Sequence, residues 1–353
     1  MINKFRKFLY KNKEVRKFRQ TLSFLPYLIS SKKKIIVFAI PFGDMVNGGV
    51  MSIDGIYNHS KKVLDSKKHL VLMSTLNKTK NFLKFTKFNS NSFIFNFRLI
   101  KLYIKYRKPS KIIIHVPEYY FEKFMINDFF ETKNIIINIL NQKNDEMPKP
   151  EVLHSYINRF GNIFTMTTAH KSYSTNEFQQ KFKIPYFHLS VDLNHESYVK
   201  INFENKKNQI LFSPDNHPLK DTVINNLKEK LPHFSFITID KLTFEEYKQL
   251  IAESKFQITF GEGLDGYFIE PYFSKSIGFS VYNDLFFTEN YRNLPTVYGS
   301  YEELNQKIVD DIIELASSKN NYQEISEEGF KVCYDDYNQE KFLSKLLNYY
   351  LNV

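Results

Sequence analysis

An α/β fold made of two doubly wound halves is what this sequence predicts. Short apolar runs rich in β-branched residues recur along it without polar alternation, the pattern of strands in a parallel sheet covered on both faces. Amphipathic segments separate most of these runs, as helices do in strand-helix-strand units. A polar stretch without a strong apolar period, residues 194–208, divides the series into two.

In the first half the expected strands are 35–40 (IIVFAI), 69–73, 92–97, 111–116 (KIIIHV), 134–140 (NIIINIL), 162–167 and 186–191. Helices fit at 50–64, 99–106, 151–159 and 174–182. The second half offers strands at 210–213, 234–239, 256–260, 278–282 and 296–298, with helices at 220–230, 244–253 and 301–316. A last helix at 339–350 presents Phe342, Leu346, Leu347 and Tyr350 on one face. The expected domains are therefore 31–195 and 205–335, preceded by a basic amphipathic helix within 1–30 and followed by a closing helix in 336–353. Ligands of such sheets bind outside the carboxyl ends of the strands, and two facing halves would make a cleft.

The length of 353 residues gives each half enough chain for its own core. A single cysteine, Cys333, excludes an internal disulfide framework and any CxxC zinc or redox motif. A reducing, cytoplasmic location is the expectation. The net charge of +11 is concentrated near the start, where Lys4, Arg6, Lys7, Lys11, Lys13, Arg16, Lys17 and Arg19 face a lone Glu14. Phe5, Phe8, Leu9, Val15, Phe18 and Leu22 recur among them at roughly helical intervals. Such a helix, 4–22, suits the surface of an anionic membrane, as on the inner face of a cell membrane. It equally suits a solvated basic helix packed on its own domain. The apolar run 22–29 holds Pro26, is too short to span a bilayer and is followed by no cleavage site, so a peripheral or soluble protein is expected. The arm carries no helix-turn-helix, zinc or RNP pattern, and nucleic acid is not an expected partner.

Chemistry concentrates in 256–283, FQITFGEGLDGYFIEPYFSKSIGFSVYN. A buried-strand run is followed by a turn with Gly261, Gly263 and Gly266, two acids in Glu262 and Asp265, an apolar helical segment and another strand. A strand, a glycine-rich bend and a helix N-terminus expose backbone N–H groups to a ligand. Glu270 lies eight residues after Glu262 and can face the same side. Carboxylates beside exposed amides suit a ligand with hydroxyls and phosphates, such as a nucleotide sugar.

The segment GEGLDGYFIEPYFSKSIGFSVYN resembles the donor-binding segment of retaining GT-B glycosyltransferases of the family-4 type, in which two Glu are separated by seven residues. Weaker likeness extends over most of the chain after the N-terminal helix. It covers the loop NGG (Asn47, Gly48, Gly49), IIIHV with His115, the segment TMTTAHKSYSTNEF and the hinge with Asp192. ILFSPDNHPLKDTVINNL resembles the opening strand, loop and helix of the second domain. The closing helix fits one that crosses back to the first domain in such proteins.

The resemblance implies transfer of a hexose-type unit from a nucleoside diphosphate sugar to a hydroxyl of a glycan or lipid-linked acceptor, with retention. It implies no metal ion and no cofactor, and a place in building a bacterial surface polysaccharide. Glu270 would take the ribose hydroxyls, because an ionised carboxylate is acceptor-only; a Glu stabilised by a helix dipole is the plain alternative. Glu262 would hold the sugar or stabilise cationic character at its anomeric carbon, unless it is an exposed turn residue. Gly263, Leu264 and Gly266 would offer amides or close approach. Lys220, with His217 upstream, would neutralise the leaving diphosphate, where the family has an Arg and a Lys. His115 would reach the sugar and phosphate, although a lone strand histidine also reads as a satisfied core residue. Gly48 and Gly49 would bring a helix N-terminus to the phosphate or simply make a tight turn. Asp265 and Tyr267 depart from the family's smaller residues and would shape the sugar pocket. Two other readings stay open: a GT-B protein that binds without turnover, and a GT-B enzyme using a CMP-activated acidic sugar.

Overall fold

The computed structural model describes residues 13–29, 34–41, 48–76, 94–126, 135–161, 163–191 and 193–353. The basic run from Lys4 to Lys11, the loop 42–47 with Asn47, and Asp192 lie outside them. Two compact units are present. Unit 1 comprises Met1–Ala169, Ser174–Val191 and Phe342–Val353, and unit 2 comprises His170–Tyr173 and Asp192–Lys341.

Unit 1 is built on a seven-stranded parallel sheet in the order β3-β2-β1-β4-β5-β6-β7. Its strands are β1 Lys34–Ala39, β2 His69–Thr75, β3 Ile94–Asn96, β4 Lys111–Pro117, β5 Ile135–Asn141, β6 Ile163–Thr168 and β7 Tyr186–His188. Its longer helices are α1 Lys13–Ile29, α2 Gly48–Val63, α3 Phe97–Arg107, α4 Pro150–Phe160 and α5 Asn176–Phe182, with a short helical turn at Phe121–Met125. Side chains alternate across a strand, so β1 serves two cores at once. Ile35, Val37 and Ala39 join Phe24 of α1 and Leu99, Ile100 and Tyr103 of α3 on one face. Ile36 and Phe38 join Ile53, Ile56 and Tyr57 of α2 on the other. Burial on both faces explains why these strands read as continuous apolar runs.

Unit 2 carries a five-stranded parallel sheet in the order β12-β11-β10-β8-β9. Its main elements in chain order are β8 Lys207–Phe212, α6 Lys220–Lys230, β9 Ser235–Thr238, α7 Phe244–Glu253, β10 Ser254–Ile258, α8 Gly266–Phe273, β11 Ile277–Val281, β12 Val297–Tyr298, α9 Tyr301–Ser317 and α10 Lys319–Tyr337, with a short helical turn at Glu289–Arg292. Helix α11, Gln339–Asn352, returns to unit 1, where Phe342, Leu346, Tyr349 and Tyr350 share the core of Ile36 and Phe38. Among the described residues no helix is long and apolar enough to cross a membrane.

Helix α10 is absent from the sequence expectation, and its buried face explains the omission. Tyr322, Ser326, Gly329, Cys333 and Tyr337 make that face, and three of the five are small. A Cβ on Gly329 would stand 2.1 Å from the Tyr272 ring, so the glycine is what admits α8. On the opposite side Lys206 is 6% exposed and donates to Ala252 O, Ser274 O and Ser276 Oγ, tying the carboxyl ends of α7 and α8 together. Burial pushes its pKa down to about 7.

Helix α8 also packs very closely on β11. A Cβ on Gly278 would lie 2.3 Å from Phe268 O, a backbone atom that cannot rotate away. Gly278→Ala is therefore expected to destabilise the protein by about 1–3 kcal/mol, the usual range for overpacking. Urea denaturation of the full chain measures it, and an unchanged midpoint would refute this account of the α8 position.

Candidate functional site

In unit 2 the strand order reverses between β8 and β10, because the chain steps from β8 to β9 and then returns across β8. Connections leaving two such neighbours run to opposite faces, and their loops frame a crevice at the carboxyl ends. The loop after β8 carries Asp215 and His217 and leads into Lys220, the first residue of α6, and the loop after β10 carries Gly261 to Asp265. Ser213 joins the two: its Oγ accepts Phe260 N–H at 2.9 Å and its N–H donates to Ile258 O at 3.0 Å.

Helix α8 starts from this crevice. Asp265 is its N-cap, with Oδ1 accepting Phe268 N–H at 3.1 Å and Oδ2 accepting Thr259 Oγ1 at 2.8 Å. Both oxygens of Asp265 are thus engaged by the protein. One turn in, Glu270 is 7% exposed and folds back over the start of the helix, so that a Cβ on Gly266 would stand 2.7 Å from its Oε1. Gly266 is a glycine because the carboxylate occupies that space. The Tyr198 and Tyr247 hydroxyls lie near the carboxyl group and favour its ionised form, and Glu270 Oε2 is buried with no hydrogen-bond partner. Gln257 Nε2 in turn donates to the Tyr247 hydroxyl at 3.0 Å and to Tyr267 O at 2.7 Å.

Asp215, Glu262, Asp265 and Glu270 lie close enough to act on one another. Burial, then the Asp265 charge, pushes the Glu270 pKa up to about 8. Burial likewise pushes Asp265 up to about 7, with Asp215 and Glu262 adding to the rise. A Cβ on Gly261 would come within 2.9 Å of Asp215 Oδ2 and 3.1 Å of Asp265 Oδ2, so both carboxyl groups crowd the space that a side chain here would take. Lys220 Nζ donates to Ser213 O and Asp215 O, both at 2.7 Å, leaving one of its three N–H donors. Burial lowers its pKa. Beside it His217 lies flat on Tyr301, ring centroids 3.6 Å apart, and its Nδ1 accepts Leu219 N–H.

The expected role of His115 needs correction. His115 does not face a crevice: it is 1% exposed and stacked on Phe38 at 4.4 Å. Asn138 donates to its Nδ1 at 2.9 Å, and its Nε2 bonds the Tyr350 hydroxyl at 3.1 Å. Burial drives its pKa down to about 3, so the ring is a neutral core group. Leu264 is buried core at 4% exposure. Gly263, at φ +92°, is held against β11, where a Cβ would meet Phe287 and Val281 O at 2.7 Å, so the protein itself fills the space. Asp265 caps a helix, and the half-buried Tyr267 lies edge-on to Tyr247, ring centroids 5.7 Å apart. Gly48 and Gly49 begin α2 in unit 1, where Gly49 O takes a bond from Gln142 Nε2 at 3.4 Å. The residues that sequence reading missed are Asp215, Tyr198, Tyr247 and Tyr301. Asp215 had a signal in its place between a strand and Lys220; the tyrosines are scattered along the chain and had none.

No family model matches the sequence, and no curated protein matches it. Solved structures do. A DNA-modifying β-glucosyltransferase, solved with and without uridine diphosphoglucose, is 7% identical over 90% of this chain and 98% of its own, with a TM-score of 0.56. The fold is of the GT-B type. A Listeria monocytogenes protein given as a candidate UDP-N-acetylglucosamine 2-epimerase is 9% identical over 91% of this chain and 98% of its own, TM-score 0.52. TarM is 14% identical over 71% of this chain and 57% of its own, TM-score 0.47, so this chain spans little more than half of that protein. At such identities the likeness is one of fold.

Because the folded-state pKa of Glu270 lies near 8 and the ordinary value is 4.5, the folded state holds the extra proton between them. The stability this group contributes is full below about pH 4.5 and is lost as pH rises towards 8. Glu270→Gln removes that loss. Its melting temperature, compared with wild type in scans from pH 5 to 8, is expected to gain steadily with pH; a pH-independent difference would contradict the assignment.

Proposed function

We propose that this protein is a retaining, metal-independent glycosyltransferase that moves a sugar from a nucleoside diphosphate sugar to a hydroxyl of a glycan or lipid-linked acceptor, in bacterial surface polysaccharide assembly. The observation that carries the reading is Glu270: a buried carboxyl group with an unpartnered oxygen at the switch point of unit 2, where the neighbouring loop after β8 leads to Lys220, a lysine with two of its three N–H donors on backbone carbonyls. Ribose hydroxyls supply what Oε2 lacks, and their donation favours the ionised form that burial disfavours. Lys220 and the first turn of α6 meet the diphosphate as negative charge develops on it. Glu262, in the bend beside Asp265, stabilises positive charge on the sugar. The same acids argue against a donor whose sugar is itself acidic, since like charges would meet in a poorly solvated place.

A panel of nucleotides and nucleotide sugars, tested for their effect on melting temperature, checks this directly. One nucleoside diphosphate series is expected to stabilise the wild type. Lys220→Ala should weaken that binding about tenfold or more, the loss expected for a charge-assisted hydrogen bond. The reading fails if no nucleotide sugar stabilises the protein and none is hydrolysed, or if Glu262→Ala turns over donor as wild type does.

We further propose that the N-terminal segment, from the basic run 4–22 onward, rests on an anionic membrane. On α1, Phe24 is fully buried, whereas Leu22, Leu25 and Ile29 are 51%, 47% and 70% exposed, an apolar stripe at helical spacing next to the chain's densest positive charge. Apolar insertion plus attraction of Lys and Arg to anionic lipid is how such helices bind. The full chain should sediment with vesicles containing phosphatidylglycerol, less so as salt is raised, and L22E/L25E/I29E should abolish it. Equal sedimentation of the triple variant would end this proposal.

A further inference from the structure

The carboxyl edge of the first sheet holds a second open carboxyl group. Glu118 follows directly on β4, is 4% exposed, and uses Oε1 to accept the Lys143 N–H at 3.0 Å. Its Oε2 is buried and makes no hydrogen bond. Ion pairing does not account for it: the Lys143 ammonium lies instead 3.6 Å from the exposed Asp145. Burial pushes the Glu118 pKa up to about 7, partly offset by backbone N–H donors at Glu118, Gln142 and Lys143 and reinforced by the Glu146 charge. A buried oxygen left without a donor is costly, and an unsatisfied group of this kind in a folded protein calls for an explanation.

Its position supplies one. The strand order of the first sheet reverses between β1 and β4, since the chain runs outward to β2 and β3 and then returns across β1. Three connections meet around that reversal. They are the start of α2 at Gly48, the turn at Glu118, and the stretch after β5, whose Gln142 Nε2 reaches Gly49 O at 3.4 Å. Pro117 pairs with Leu140, so Glu118 and Asn141 come next along neighbouring strands. This is the place in a doubly wound sheet where ligands bind.

We propose that Glu118 is the hydroxyl-binding residue of a site in unit 1 for the carbohydrate acceptor, its open carboxylate oxygen accepting one sugar O–H. An acceptor-only oxygen calls for a donor. Glu146 nearby disfavours an anion, and among the described residues no group of His, Cys, Asp or Glu could hold a metal ion. A neutral polyol satisfies both conditions. The inference rests on the glycosyltransferase reading for the ligand's role, while the site rests on its own geometry.

The probes are the methyl glycosides of glucose, galactose, mannose and N-acetylglucosamine at millimolar concentration, with binding to the full chain followed by saturation-transfer NMR. Wild type is expected to bind at least one of them. Glu118→Gln keeps the side-chain shape but replaces the carboxylate, and should bind about tenfold more weakly, as for loss of a hydrogen bond to a charged group. The nucleotide-induced melting shift should be unchanged in this variant. A purely structural Glu118 would leave Glu118→Gln binding as wild type does, and that result overturns the proposal. So does failure of wild type to bind any of the four. Glycoside binding lost in Glu118→Gln, in a protein that no nucleotide sugar stabilises, supports the site and removes the transferase reading instead.

Discussion

Burial of the Glu270 carboxyl group is the constraint on which the rest of unit 2 depends. An acid can sit one turn into a helix and stay hidden only if the residue four before it has no side chain, and Gly266 meets that need. The helix must then start at this point, which Asp265 ensures by capping it. It must also be clamped from below, which requires Gly278 against Phe268 O and Gly329 under the Tyr272 ring. Three glycines far apart in sequence thus serve one carboxyl group. Such close packing leaves little room for adjustment, because protein interiors transmit strain instead of absorbing it.

Much of this was legible in the sequence and some of it was not, for definable reasons. The two parallel sheets followed from uninterrupted β-branched runs, and the spacing of Glu262 and Glu270 marked the bend. The reasons for the glycines were not legible. Gly263 and Gly266 read as room for a ligand, whereas one is filled by Phe287 and β11 and the other by Glu270 itself. Asp265 read as a shaper of the sugar pocket, yet a helix start competes for the same carboxylate, and the backbone donor won. Helix α10 was hidden because Ser326, Gly329 and Cys333 fill the middle of its buried face between Tyr322 and Tyr337, which weakens the hydrophobic period.

In unit 1 the contrast between His115 and Glu118 shows how little a strand position says by itself. Both lie near the end of β4, and the histidine was the more conspicuous in sequence. Asn138, Phe38 and two tyrosines of α11 enclose it, and none of these is near it in the chain. Glu118, three residues later, is past the last ladder pair and reaches the edge of the sheet. Polarity draws attention, but long-range packing decides which polar group meets a ligand.

The return of α11 has a consequence for synthesis. Tyr350 bonds Ser60 and His115, Tyr349 bonds Thr165, and Phe342 and Leu346 cover Ile36 and Phe38. These residues leave the ribosome only after all of unit 2. The part of the first sheet's face covered by α11, beside α2, therefore stays open until the second unit has been made.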